Sequence, residues 1–161
     1  MTRIGEIMGY ISGFGTKCAA LTLVLGLSLT TSGLNATDGS NVDISISGLR
    51  NVKGQIMICM TRNAKIFPDC SKDADALRKV VPAQTANSII FNSVAPGTYA
   101  VAIVHDENQN NKMDVSLFIP KEGFAFSRNP TITVGPPKFK SAAFAVGAVD
   151  MKQSVKMKYM L

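Results

Sequence analysis

A short polar segment in the second half of the chain carries the strongest chemical signal. Oxygen-bearing side chains recur there at alternate positions, namely Asp106, Asn108, Asn110 and Asp114. Calcium takes about six to eight oxygen ligands, and alternate residues of a tightly curled loop can direct their oxygens to one centre. Lys112 can add its backbone carbonyl oxygen to this set. The spacing therefore predicts a calcium-binding loop.

The segment departs from a complete EF-hand loop at two positions. Asn111 stands where glycine usually makes the sharp turn, and asparagine also tolerates the left-handed conformation. Leu117 stands where an EF-hand has a bidentate glutamate. Glu122 and Glu107 are the candidates for a further carboxylate ligand. The alternative is a polar turn whose Asp and Asn side chains cap backbone amides without any ion.

Few residues are available for catalysis. The chain has a single histidine, His105, no tryptophan and three cysteines, which excludes a histidine-rich metal site. A histidine acting as general base needs a nucleophile within reach, and no nucleophile motif accompanies His105. We therefore expect His105 to be structural and the protein to be non-enzymatic. A hydrolase that uses His105, Asp106 and Glu122 is the weakest of the alternatives.

The first 36 residues differ in composition from the rest. Arg3 and Lys17 precede an apolar run over residues 18–29, and small and polar residues follow as far as Ala36. This order is typical of a secretory signal peptide, and the run is shorter than the roughly 20 residues of a membrane-spanning helix. We predict a signal peptide over 1–36, one domain over 37–161, and export to the periplasm or the extracellular space. A retained membrane anchor is the alternative.

Cysteine usage agrees with export. Cys59 and Cys70 are the two cysteines beyond the predicted signal peptide, and an even number in an oxidising compartment indicates a disulfide. The alternative is a pair of free buried thiols, as a reducing compartment would favour. We predict a Cys59–Cys70 disulfide.

The elements that position these residues have a period of two, which is typical of strands. Apolar and polar side chains alternate over 42–47 and 154–161. Further strands are predicted at 55–60, 80–81, 88–92, 98–105, 131–134 and 142–146, with one helical turn at 73–79 and a long polar segment at 106–130. Seven or eight short strands with turn signals between them predict an antiparallel β-sandwich of immunoglobulin-like or transthyretin-like type.

The charge balance limits the partners. The formal net charge is +6, but the lysines are scattered singly and few aromatic residues lie among them. This pattern is typical of a solvated basic surface and excludes a nucleic-acid site. A component of the bacterial envelope or a small ligand remains a candidate partner, and a small-ligand or glycan carrier is the main alternative function. After signal cleavage we expect no integral membrane segment.

Three blocks of sequence resemble a known family. They are residues 96–110 with Asp114, residues 119–127 and residues 135–139. In this combination and order they are similar to the secreted bacterial family of unknown function numbered 2141. The resemblance implies an exported, sandwich-like single domain with no assigned enzyme activity. The chain differs from the family pattern at Asn111, Phe118 and Ala125, where the family tends to have glycine.

The middle block also has a direct physical interpretation. Pro120 and Gly123 can fold the segment back on itself, so that Phe118, Phe124 and Phe126 bury against the sandwich. Glu122 would then reach the loop that begins at Asp106.

Overall fold

The computed structural model describes residues 39–161, so the predicted signal peptide lies outside the described residues. This part of the chain is mostly β-structure. Its strands are β1 (Ser40–Ser47), β2 (Gln55–Thr61), β3 (Leu77–Pro82), β4 (Ser88–Val94), β5 (Gly97–Asp106), β6 (Val115–Ser116), β7 (Ile119–Pro120), β8 (Gly123–Phe126), β9 (Phe144–Val146) and β10 (Met151–Lys156). Two 3₁₀ turns, Cys70–Lys72 and Ala83–Thr85, and one α-helical turn, Phe139–Ala142, complete it. No helix within residues 39–161 is long and apolar enough to cross a membrane.

Two sheets pack face to face. The smaller sheet has the order β10-β1-β4, and the larger has the order β3-β2-β5-β8. In β1 every second residue from Val42 to Ile46 is buried, and in β2 the same holds from Ile56 to Met60. These two rows belong to one apolar core together with Val101 of β5, which confirms the predicted all-β sandwich.

Strand β5 holds the larger sheet together. Along one edge it pairs with the whole of β2 over residues 100–106. Along its other edge it pairs with β9 at residues 97–99 and with β8 at residues 102–105. Its last residue, Asp106, therefore lies at the end of a strand that neighbours fix on both sides.

The structure differs from the predicted sandwich in several places. Strands β1 and β10 pair in parallel, although an all-antiparallel fold was expected. The segment 106–130 contains β6, β7 and β8, which brings the strand count to ten within residues 39–161. The predicted strand at 131–134 was wrong, since this stretch is irregular and Ile132 packs on a second apolar cluster. The predicted helical turn at 73–79 was also wrong, because the chain from Leu77 pairs with β2 instead.

That second cluster covers the opposite face of the larger sheet. Its buried members are Ala100, Phe124, Phe126 and Ala142. The ring of Phe67 packs edge-on against Phe126 at 5.8 Å. Phe124 and Phe126 are buried as expected, but the expectation for Phe118 was wrong, because its side chain is 98% exposed at the turn between β6 and β7. The outer face of the larger sheet is therefore covered in part by loops and carries an exposed aromatic ring beside it.

The predicted disulfide is confirmed. Cys59 of β2 is bonded to Cys70, which opens the first 3₁₀ turn, and the two residues are 11 apart in sequence. Cys70 is buried, so the bond fixes the loop after β2 against the sheet.

Removing this bond should destabilise the protein. For the double variant Cys59→Ala/Cys70→Ala we expect a loss of about 2–3 kcal/mol in the free energy of unfolding, because the unfolded chain regains the entropy of an open loop. Urea unfolding of the oxidised protein and of the variant measures the difference. Reductant should destabilise the parent protein and leave the double variant unchanged. An equal effect of reductant on both proteins would contradict this assignment.

Candidate functional site

The carboxylate of Asp106 organises the polar loop. Asp106 is fully buried at the end of β5. Its Oδ1 accepts the backbone N–H of Asn110 at 3.1 Å, and its Oδ2 accepts that of Asn111 at 2.8 Å. Oδ2 also accepts the side-chain amide of Gln55 at 2.8 Å, and the same amide donates to Oδ1 of Asn111 at 2.9 Å. The loop is thereby curled around Asp106 and fastened to the start of β2.

The remaining predicted ligands lie together on the outer part of the loop. Nδ2 of Asn108 and Nδ2 of Asn110 donate to the same oxygen, Oδ2 of Asp114, at 2.8 and 2.9 Å. The side-chain oxygens of both asparagines accept backbone N–H groups two residues further on. The ammonium group of Lys112 is 3.9 Å from Oδ1 of Asp114. Asn111 has a φ of 63°, the left-handed conformation expected at the sharp turn.

Glu122 reaches this loop from the far side of the β6–β7 hairpin, as predicted. Its side chain is only 4% exposed. Oε2 accepts the backbone N–H of Asp114 at 3.1 Å. Oε1 is buried and has no hydrogen-bond partner among the residues that the structure describes. A buried carboxylate oxygen without a donor is costly, so this atom sets Glu122 apart from the rest of the site.

The two buried carboxylates differ in how their charge is stabilised. Burial alone would raise the pKa of Asp106, but hydrogen bonds from Gln55, Asn111 and Asn110 hold it below its ordinary value. Burial raises the pKa of Glu122, and the negative charges of Asp106 and Asp114 act in the same direction, although the backbone N–H groups of Asp114 and Glu107 oppose the shift. The site therefore contains one carboxylate that is well stabilised as an anion and one that is not.

Glu107, the other candidate ligand, has different partners. The guanidinium of Arg50 donates to both of its carboxylate oxygens, and the amide of Asn51 donates to Oε1. These bonds lower the pKa of the Glu107 carboxyl. The charge of Arg50 also acts on Glu122, but its hydrogen bonds go to Glu107 and to backbone carbonyls. Of the two candidates, the structure brings Glu122 to the loop and holds Glu107 outside it.

His105 lies in the protein interior. It is fully buried, Nδ1 is 2.8 Å from the hydroxyl of Tyr159, and Nε2 is 2.7 Å from the carbonyl oxygen of Lys53. Both ring nitrogens are therefore occupied by structural hydrogen bonds. The ring joins β5 to the turn before β2 and to the C-terminal segment.

Within residues 39–161, no three His, Cys, Asp or Glu side chains already converge as a preformed metal centre. The carboxylates are engaged elsewhere: that of Asp106 accepts hydrogen bonds from backbone amides, and that of Asp114 accepts them from two side-chain amides. Rotation of each asparagine side chain would turn its oxygen toward Asp114, at the expense of the bond that this oxygen accepts from a backbone N–H group. With that change the loop can offer carboxylate, amide and carbonyl oxygens to one cation, which is the donor chemistry that calcium prefers.

Sequence reasoning missed several residues that support the site. Gln55 and Tyr159 carry no motif, and only the fold brings them to Asp106 and His105. Gly54 did have a signal, because glycine before a strand indicates an unusual backbone conformation. Its φ is +70°, and a Cβ there would lie 2.1 Å from the carbonyl oxygen of Asp106.

Gly54 allows the end of β5 to approach β2, so Gly54→Ala should be strongly destabilising. We expect a loss of roughly 3 kcal/mol or more, since the alanine adds a backbone collision to the left-handed strain. Gly135→Ala is the matched control, because Gly135 has a φ of +68° with open space around it. The loss of unfolding free energy in this control measures the cost of the left-handed conformation alone, about 1–2 kcal/mol. Equal losses of unfolding free energy in the two variants would show that the close approach is unimportant.

Comparison with known proteins identifies a family but no activity. No curated protein matches the chain, and no solved structure matches it. One family model does match, over residues 44–154, and it describes an uncharacterised protein conserved in bacteria, DUF2141. The match covers more than half of the chain and includes the whole Asp106 loop and Glu122. The chain therefore belongs to the DUF2141 family of uncharacterised bacterial proteins.

Proposed function

We propose that this protein is an exported, non-enzymatic binding or structural domain of the bacterial envelope, and that calcium stabilises it. The ion would be held by Asp106, Asn108, Asn110, Asp114 and Glu122, with the backbone carbonyl of Lys112. The single observation that carries the proposal is the buried, unpartnered Oε1 of Glu122 beside two further acidic side chains.

A divalent cation would resolve the electrostatic conflict at this site. The negative charges of Asp106 and Asp114 both act on the carboxylate of Glu122, which is already oriented by the N–H of Asp114. A cation bound between them gives Oε1 a partner and reduces the repulsion among the carboxylates. Calcium fits better than magnesium because the ligands lie on an irregular loop. Calcium accepts such geometries, whereas magnesium demands a near-ideal octahedron.

Two further observations favour the non-enzymatic and exported parts of the proposal. His105 has both ring nitrogens engaged and is fully buried, so a hydrolase that uses it as general base would have to break its hydrogen bonds. The Cys59–Cys70 disulfide fits an oxidising compartment outside the cytoplasm.

The export prediction is tested by the N-terminus of the protein that accumulates in its own host. We expect N-terminal sequencing and intact mass to give a chain that begins at Thr37, because the predicted signal peptide ends at Ala36. Fractionation should place this species in the periplasm or the medium. An uncleaved chain that stays in the membrane fraction would support the retained anchor instead.

The calcium site is tested by thermal unfolding in EDTA and in about 10 mM calcium, well above the roughly 10⁻⁴–10⁻³ M affinity of extracellular calcium modules. Because the ion binds only the folded state, we expect calcium to raise the midpoint by several degrees, and magnesium at the same concentration to raise it less. The absence of any calcium-induced rise would identify the loop as a self-capped turn.

The variant Glu122→Gln separates an ion ligand from a structural residue. In EDTA it should be as stable as the parent protein or more stable, since it removes a buried negative charge of which one oxygen has no hydrogen-bond partner. In calcium it should lose the rise in midpoint. Glu107→Gln is the matched control, because it removes a neighbouring carboxylate that binds Arg50 and should keep the rise. A full rise in Glu122→Gln would exclude Glu122 as a ligand.

A cavity of about 800 Å³ favours the small-ligand carrier as a second candidate function. It lies against the outer face of the larger sheet, and its lining includes residues 111–113, 115 and 118–120 of the segment 106–130. Ala102, Val104 and Phe124 are among the apolar residues that line it. This surface suits an apolar ligand better than a glycan, which needs polar partners for its hydroxyl groups.

A further inference from the structure

The cavity on the outer face of the larger sheet has an apolar floor. Ala102 and Val104 of β5 and Phe124 and Phe126 of β8 contribute to it. Its volume of about 800 Å³ lies within the usual range for small-molecule sites. Covering this recessed apolar surface with an apolar group would be favourable, because it would remove apolar area from water.

The β6–β7 hairpin forms one wall of this cavity and presents apolar side chains without cover. Its turn consists of Leu117 and Phe118, which are 89% and 98% exposed. Both have positive φ values, 47° and 70°, as in a tight hairpin turn that normally takes asparagine and glycine. Large apolar residues are disfavoured in this conformation and disfavoured at this exposure. Phe118 also lines the cavity, and its placement there points to contact with something apolar.

The base of the hairpin is built from two residues of the proposed calcium site. Asp114 directly precedes β6, and Glu122 follows β7 after one residue. The N–H of Asp114 donates to Oε2 of Glu122, and the N–H of Lys121 donates to the carbonyl oxygen of Asp114 at 2.9 Å. A cation that binds both carboxylates would therefore fix the hairpin at its base and hold the wall of the cavity in place.

A positive charge lies at the rim of the same cavity. Lys112 lines the cavity, its side chain is 71% exposed, and it faces Asp114 across 3.9 Å. Asp69 also lines the cavity, but its carboxylate accepts the N–H of Ser71 at 2.9 Å and caps the first 3₁₀ turn. When Asp114 binds a cation, its charge is neutralised and the ammonium group of Lys112 is left to attract an anion.

We propose that the cavity binds one molecule of a single-chain amphiphile with an anionic head group, such as a long-chain carboxylate. The chain lies on the apolar floor under Phe118, and the head group lies beside Lys112. Calcium increases the affinity by fixing the hairpin and by freeing Lys112, a coupling that rests on the calcium site proposed above. By linkage the amphiphile increases the affinity for calcium by the same factor.

The test uses fluorescence of dansyl-labelled undecanoic acid during titration with the purified protein, in calcium and in EDTA. We expect saturable binding of one probe per chain, at least about fivefold tighter in calcium. Decanoate should displace the probe more effectively than decan-1-ol, which has the same chain length and no charge. Absence of saturable binding in both buffers would overturn the amphiphile site and leave the calcium-induced rise in midpoint as a separate result.

Three variants locate the site. Phe118→Ser should weaken binding of the probe, whereas Val149→Ser, the matched control at another exposed apolar position outside the cavity, should not. Lys112→Gln should remove the preference for decanoate over decan-1-ol. Glu122→Gln should retain the affinity measured in EDTA and lose its increase in calcium. Unchanged binding in both Phe118→Ser and Lys112→Gln would overturn the location.

Two further results would overturn parts of the proposal. A calcium-induced rise in midpoint without any effect of calcium on probe affinity would disprove the coupling. Sedimentation of the protein with anionic phospholipid vesicles, without displacement of the probe by decanoate, would identify a bilayer surface as the partner instead of a single amphiphile.

Discussion

The burial of charge at the end of β5 is the constraint on which this part of the molecule depends. A carboxylate removed from water must receive hydrogen bonds or a counter-charge, or it will destabilise the fold. Asp106 meets this requirement with two backbone amides from its own loop and one side-chain amide from Gln55. The loop is therefore shaped by the hydrogen bonds that the buried carboxylate of Asp106 accepts. That shape also places the polar side chains further along the loop.

Glu122 is under the same constraint and meets it only in part, because Oε2 accepts the N–H of Asp114 whereas Oε1 has no hydrogen-bond partner among the described residues. Its interior position is set by its neighbours in sequence, since Gly123 begins β8 and Phe124 packs into the second apolar cluster. A Cβ on Gly123 would lie 2.3 Å from the ring of Tyr159, so β8 passes close to the C-terminal segment. Packing therefore holds the carboxylate in place although its electrostatic environment is unfavourable. A polar group that packing fixes in an unfavourable electrostatic environment is frequently one that the protein uses for binding rather than for stability.

Local patterns in the sequence explain much of the fold and some of the site. Alternation identified β1, and the strands predicted at 55–60 and 98–105 correspond to β2 and β5. The left-handed conformation expected of Asn111 is also observed. The approach of Glu122 to the loop was also predictable, because Pro120 and Gly123 bracket it in sequence. The features that local patterns did not predict depend on contacts between residues distant in sequence. The exposure of Phe118, the engagement of Glu107 by Arg50 and the parallel pairing of β1 with β10 are decided by the assembled sheets and by no local period.

The parallel pairing of β1 with β10 also has a kinetic consequence. The two strands are more than a hundred residues apart, with Val42 next to Met151 and Ile46 next to Val155. The smaller sheet cannot be completed on the ribosome until β10 has emerged, and pairings between such distant segments slow folding because a long loop must be closed first. A nascent chain with this topology stays unfolded for longer than one whose sheets close from neighbouring strands. Late closure of this kind fits the export proposed above, in which the chain would cross a narrow channel before it folds.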